Sequence, residues 1–456
     1  MKKHNDSIKL FSTITPDDLT QRLLELGIEE KHIKNHLVKY IYIIDKIYTN
    51  DVINKNAEVC RLNFDLLVKL FGARYTKPII KNLIDTGIIQ LVSKHYAGVQ
   101  SNGYILTEPR GAKEYTFENQ RFVTKIIEER TSRIEIDSQT LARLFRAMSN
   151  LQLDHIDLNQ LTEDEFKFVR MLQHNPFQKV GKKGKRVYNN FCNLPKSVRS
   201  MVKLQNQDLG FVDIVNSQMV FLAGVISDYL FNNGFEFSES TNDFIRLSTS
   251  GKLYNRLMEL SGIEDRSEVK ELTFQIIFSE KSYSDIKWVF EKEFNQVYQV
   301  IKQLKKDDHN VLSHLMQQKE AKIVFRALDS IPYQKEILTI HDSLYAPESE
   351  LNTIKEALIN SFKFERINAT INVNDEYNLT VFDYSPNQIE NIMKEPTLPL
   401  SEKVQEIEES FINESSNQIE EPVKELPINK SEVYSFDEYD EDLAEIDFIV
   451  SKIKMN

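Results

Sequence analysis

Leu209-Gly-Phe-Val-Asp-Ile-Val-Asn-Ser-Gln-Met-Val-Phe-Leu-Ala223 is the stretch on which the reading of this chain turns. A short apolar run ends in Asp213, and a second apolar pattern, at helical spacing, begins near Ser217. The pattern predicts a buried strand, a tight turn and a helix, with an acid at the tip of the strand. A carboxylate there is costly unless something compensates its charge. A divalent metal does so; capping the following helix does so equally, and the stretch alone leaves both open.

Downstream lie two further blocks. In Arg266-Ser-Glu-Val-Lys270-Glu-Leu-Thr-Phe274-Gln-Ile-Ile-Phe278, two cations and two aromatics recur every four residues. Each such step advances about 40° around a helix, so all four share one stripe. Cations followed by rings can grip a triphosphate and stack on its base; a helix with a polar start and an apolar finish has the same pattern. In Glu336-Ile-Leu-Thr-Ile-His341-Asp342-Ser343-Leu-Tyr-Ala-Pro347, apolar residues flank a His-Asp-Ser tip, which suits a tight β-hairpin presenting a carboxylate.

The surrounding chain bounds these blocks. At 456 residues, with 41% hydrophobic and 28% charged residues, it has the length for two or three domains and an ordinary soluble composition. Only 13 glycines and 12 prolines favour a helix-rich α+β fold. Cys60 and Cys192 offer neither a disulfide framework nor a zinc site. No N-terminal stretch reads as a signal peptide and no apolar run is long enough to span a bilayer, so a cytoplasmic location without membrane contact is expected. The net charge of −12 sits mostly at one end: residues 391–456 carry 17 acids against 6 bases, leaving about −1 for the rest. Within that near-neutral body, Lys179-Val-Gly-Lys182-Lys183-Gly-Lys-Arg186 is a local basic cluster.

Four regions follow. Residues 1–110 read as helices and a small hairpin. Asn63–Phe71 and Arg74–Thr86 are amphipathic stretches separated at Gly72-Ala73, with Ile79, Ile80, Leu83 and Ile84 facing inward. Ile88–Val92 and Tyr104–Thr107 read as strands around a loop containing Gly98, Ser101, Asn102 and Gly103. This order resembles a winged helix-turn-helix, with Arg74, Lys77 and Lys81 on the outer face of its second helix, where a DNA reader places cations; a helical scaffold with a solvated basic face is the plainer alternative. Residues 111–178 are a helical connector or a reduced thumb, with helices expected over Asp137–Ser149 and Thr162–Gln173. Residues 179–384 hold the three blocks. Residues 385–456, rich in Glu, Ser and Pro, read as a disordered acidic tail, whose end is either a peptide that docks on a partner protein or a solubilising extension.

Taken in order, the blocks resemble motifs A, B and C of the superfamily of family A DNA polymerases and single-subunit, phage-type RNA polymerases. Asp213 matches the motif A aspartate; Arg266, Lys270, Phe274 and Phe278 match the fingers helix; His341-Asp342 matches motif C. Arg186 and Phe191-Cys-Asn-Leu-Pro-Lys-Ser-Val-Arg199 resemble segments that precede motif A, and Leu315-Met-Gln317-Gln-Lys-Glu-Ala321 resembles the Gln-bearing helix before motif C. The likeness covers about residues 179–358.

The resemblance implies a right-hand palm and fingers and two-metal phosphoryl transfer. Asp213 and Asp342 would hold two Mg²⁺ ions roughly 3.5–4 Å apart. Arg266 and Lys270 would neutralise the triphosphate, while Phe274, Phe278 and Gln218 would shape the nucleotide pocket. Arg186, Arg199, Gln317, His341, Lys182 and Lys183 would contact the primer-template. Nucleoside triphosphates and a DNA primer-template are the implied partners, with a DNA polymerase lacking a proofreading exonuclease as the implied activity. A plasmid, phage or other mobile element suits such a compact enzyme by analogy.

Departures keep alternatives open. Motif A reads Asp-Ile-Val-Asn-Ser-Gln, with Gln218 at the spacing of the usual steric-gate Glu. His341-Asp342-Ser343 has the phage-type RNA polymerase form, whereas Phe278 lacks the tyrosine hydroxyl by which those enzymes recognise a ribose. Phe278 and the bulk of Gln218 favour DNA synthesis. A single-subunit RNA polymerase is one alternative; a replication initiator or regulatory DNA-binding protein with a degenerate palm is the other.

Overall fold

Alternation along Gln207–Ile214 makes this segment a strand with one wet and one dry face. Gly210, Val212 and Ile214 are buried, whereas Leu209, Phe211 and Asp213 are half-buried. In the computed structural model, which describes residues 7–53, 59–94, 101–108, 111–118, 121–280, 285–374 and 376–380, it is the central strand of an antiparallel sheet. The order is Leu338–Ile340, Ser343–Pro347, Gln207–Ile214, Ala369–Val373, Glu376–Thr380, with Lys203–Leu204 also pairing with the central strand.

Register decides which residues share a face. Leu344 pairs with Val212 and Ile371 with Ile214, so their side chains, with Ala346, form a dry surface. Helices Ser217–Asn232, Val311–Ser330 and Leu351–Phe364 belong to the same core. Val311–Ser330 is buried without a break from Leu312 to Ala321, so its polar residues need partners. Lys319 Nζ finds Asp228 at 2.8 Å and Glu365 at 3.1 Å. The opposite face of the sheet carries Phe211, Asp213, Ser343 and Tyr345.

A second core lies in the N-terminal part. Helix Glu30–Ile53, strand Cys60–Arg61, helices Phe64–Phe71 and Ala73–Asp85, and strands Ile89–Ser93 and Gly103–Leu106 follow in order. The three strands form one antiparallel sheet with Gly103–Leu106 in the middle. Gly72, at φ +92°, breaks the two helices apart. Ile79, Ile80 and Leu83 are buried and Ile84 is half-buried, as their spacing predicts. Of the expected hairpin loop, residues 95–100 lie outside the described residues.

This core does not end at residue 110. Ser7–Ser12 pairs along its whole length with Lys113–Glu118, and helix Arg121–Thr131 adds Phe122, Val123 and Ile126 to the same apolar cluster. The unit therefore runs from Ile8 to Ile126. Local periodicity carries no trace of a strand pair more than a hundred residues apart in sequence, which is why the boundary fell short.

The connector helices are Gln139–Ser149, capped by Ser138, and Glu163–His174, whose Thr162 and Glu165 form a reciprocal capping box. They build a third cluster in which Phe168, Phe191, Val198 and Leu338 pack together, so the connector adjoins the edge of the central sheet. The whole is α+β and helix-rich. Among the described residues no helix is long and apolar enough to cross a membrane. The acidic tail expected from residue 385 onward lies outside the described residues.

Candidate active site

Strand geometry brings the two predicted acids together. Asp213 is the penultimate residue of Gln207–Ile214. Asp342 lies in the two-residue turn between Ile340 and Ser343, which pair with each other. His341 holds that turn at φ +54°, a conformation few side chains adopt. Continuing the register from Leu344–Val212 sets Ser343 beside Asp213, and the Ser343 hydroxyl donates to the Asp213 carboxylate.

Electrostatics report the same proximity. Burial, then the charge of Asp342, push the Asp213 carboxyl up to about 6, against the downward pull of the Ser343 hydrogen bond. A pair of acids in that state lacks a positive charge. Among the described residues no group of three or more His, Cys, Asp and Glu side chains gathers. Two carboxylates nevertheless suit magnesium, which takes one or two from the protein and completes its octahedron with phosphate oxygens and water.

Helix Arg266–Phe278 begins next to this strand. Asp265 caps it by accepting the Ser267 N–H. Arg266 Nη2 donates at 3.4 Å to Oδ1 of Asn216, which sits in the turn three residues after Asp213, and the guanidinium lies 5.2 Å from the ring of Tyr254. Lys270 Nζ stands 5.5 Å from the Phe274 ring, itself 5.5 Å from Phe278. The predicted stripe therefore exists, but its two ends differ. Arg266 and Lys270 are exposed, whereas Phe278 is only 8% exposed and belongs to the main core. Gln218 is half-buried at the second position of Ser217–Asn232.

The expected nucleic-acid contacts divide. Lys182 and Lys183 are exposed on the turn between strands Gln178–Val180 and Val187–Asn189. That turn is pinned by Gln318 Nε2, which donates to the Lys183 carbonyl at 2.8 Å. Arg199 is half-buried and donates to the Tyr345 hydroxyl at 3.1 Å, on the Asp213 face of the sheet. His341 lies 5.5 Å from the Tyr188 ring. Arg74 and Lys77 are exposed on Ala73–Asp85 in the N-terminal unit, while Lys81 pairs with Asp85.

Three expectations need correction. Arg186 is 5% exposed and its Nη2 lies 2.6 Å from Glu320 Oε2, so the guanidinium is enclosed and neutralised rather than presented to a phosphate. Gln317 is buried against Gly184, where an added Cβ would meet its Oε1 at 2.2 Å; it packs the basic turn onto its helix instead of lining a groove. Phe278 packs in the core, which leaves Phe274 as the partly exposed ring of the stripe. Sequence reasoning also passed over Asn216, Tyr254 and Tyr345, which hold Arg266 and Arg199 in place. Their signal is a contact between distant segments, which no spacing encodes.

Compared with known proteins, the chain matches no family model and no curated protein.

Proposed function

We propose that this chain is a template-directed nucleotidyltransferase, a DNA polymerase of the family A type with a palm built on the central sheet. One observation carries this reading: Asp213 and Asp342, 129 positions apart, lie close together at the end of the central strand and the adjoining hairpin turn, with the cation-bearing helix Arg266–Phe278 tied to the turn that follows Asp213.

Bound there by Asp213 and Asp342, Mg²⁺ would activate a primer 3′-hydroxyl and neutralise the leaving pyrophosphate. The chain's own groups do the rest. Arg266, steadied by Tyr254 and Asn216, and Lys270 offer fixed positive charge to the triphosphate, where charge builds as the bond to the leaving group breaks. Phe274 offers a ring to the base. Gln218 takes the place from which a 2′-hydroxyl is excluded, which favours deoxynucleotides. Lys182, Lys183 and Arg199 face the duplex backbone and make its binding salt-sensitive. Helices Phe64–Phe71 and Ala73–Asp85, followed by strands Ile89–Ser93 and Gly103–Leu106, support a winged-helix reading of the N-terminal unit, in which the exposed Arg74 and Lys77 supply a second DNA contact.

Primer extension tests the reading. Purified protein with Mg²⁺, a primed DNA template and dNTPs should lengthen the primer according to the template, and rNTPs should serve poorly. Failure to incorporate any nucleotide on primed or unprimed templates, DNA or RNA, would leave a DNA-binding protein and remove the enzyme.

A further inference from the structure

The sheet face that carries Asp213 holds another polar side chain. In the register between Ala369–Val373 and Gln207–Ile214, Asn372 lies directly opposite Asp213. Directly opposed residues of an antiparallel pair project to the same face, with Cβ atoms about 4.5–5.5 Å apart. Ser343 flanks Asp213 on the other side, so Ser343, Asp213 and Asn372 form a row across three strands, with Asp342 at the adjoining turn.

Asn372 is unusual in this row. It is 8% exposed, and its Oδ1 is buried with no hydrogen-bond partner among the described residues. The strand around it, Ala369-Thr-Ile-Asn-Val373, is otherwise a buried run in which an apolar residue would pack without this cost. The amide does not donate to Asp213 either: the carboxylate's side-chain hydrogen bond comes from Ser343. Two carboxylates and an amide carbonyl thus share one patch, where the Ser343 hydroxyl and the Ile214 N–H both donate to Asp213. Hard divalent cations take such a set, asparagine carbonyls included.

We propose that Asn372 Oδ1 is a third protein oxygen in the divalent-cation site formed by Asp213 and Asp342. The proposal rests on the reading of those two acids as a cation-binding pair. A neutral carbonyl adds a donor without a third negative charge, so it tightens the site without deepening the repulsion already seen at Asp213.

Manganese binding, followed by the loss of the free-ion EPR signal on the full chain without nucleotide or nucleic acid, tests this apart from activity. Asp213→Asn should abolish binding. Asn372→Leu should weaken it about tenfold or more, at least the range seen when a supporting group is lost from a metal site. Asn372→Asp should tighten it. Asn374→Asp measures the effect of added charge alone, since Asn374 is exposed just past the end of the same strand and its side chain accepts the Phe211 N–H at 2.9 Å. Thermal melts report whether each variant folds; should the leucine variant fail, the two aspartate variants decide. Wild-type affinity in Asn372→Leu, or no greater tightening from Asn372→Asp than from Asn374→Asp, overturns the proposal while leaving the pair intact. Unchanged binding in Asp213→Asn removes the pair itself, and Asn372's role with it.

Discussion

The central sheet and the N-terminal unit are both antiparallel sheets backed by helices, yet they organise polar residues in opposite ways. In the N-terminal unit, Arg74 and Lys77 lie on one face of a single helix, one turn apart, over a sealed apolar core. In the central sheet, Asp213 and Asp342 come together from two separate segments because strands and a turn are in register, while Arg266 and Arg199, from two others, are held through Asn216 and Tyr345. A local array can lose a member without disturbing its neighbours. A convergent one depends on each element that holds it, and charges that fall inside it must be paired.

The largest effect expected from this contrast falls on the acids. Asp213→Asn or Asp342→Asn should lower nucleotide incorporation by more than about a hundredfold, since loss of a direct ligand exceeds the tenfold to hundredfold cost of losing a supporting group. DNA binding and the melting temperature should hold, because removing one of two repelling carboxylates relieves strain. Retained incorporation in both variants would break the comparison at its centre.

Next comes the buried pair. Arg186→Met leaves Glu320 charged and enclosed, and should destabilise the protein by about 3–5 kcal/mol in urea unfolding. The double variant Arg186→Met/Glu320→Leu should recover most of that loss. Had Arg186 served a phosphate, the single change would weaken DNA binding with little effect on stability, so the two measurements separate the roles.

A smaller and purely electrostatic effect is expected in the N-terminal unit. Arg74→Ala with Lys77→Ala should lower DNA affinity and reduce the slope of log K against log salt by about 0.9 for each phosphate that is no longer neutralised. Incorporation at saturating primer-template should be unaffected. A parallel fall in the turnover rate would mean that the two regions work as one site.

The smallest effect concerns the far end of the Arg266 helix. Lys305 Nζ donates to the Ile276 carbonyl at 3.1 Å and to that of Ser279, closing the helix C-terminus. Burial, then the charge of Lys287, push this amine down from 10.5 to about 8. Between those values the unfolded chain holds more protons than the folded one, so Lys305's contribution to stability rises with pH across that window. Lys305→Met should flatten this rise in pH-dependent denaturation curves; a slope unchanged by the substitution would show that the amine is not the group responsible.

How much of this was legible in advance depended on whether a feature is local. Asp213 at a strand tip, the His341-Asp342 turn, the four-residue stripe from Arg266 to Phe278 and the helices expected over Asp137–Ser149 and Thr162–Gln173 are all written in neighbouring residues, and those helices formed over Gln139–Ser149 and Glu163–His174. The burial of Phe278, the enclosure of Arg186 by Glu320 and the strand pair that carries the first core on to Ile126 are not. Each involves a partner far along the chain.

By itself the amino-acid sequence determined which segments become strands and helices, since hydrophobic period and capping residues act within a few positions. It also set two acids and a row of cations at the ends of those segments. The tertiary structure alone decided that the acids come together, that Asn372 stands opposite Asp213, and which arginines face solvent. Register and burial are settled by the packing of distant segments against one another, and that energy is invisible until the chain has closed on itself.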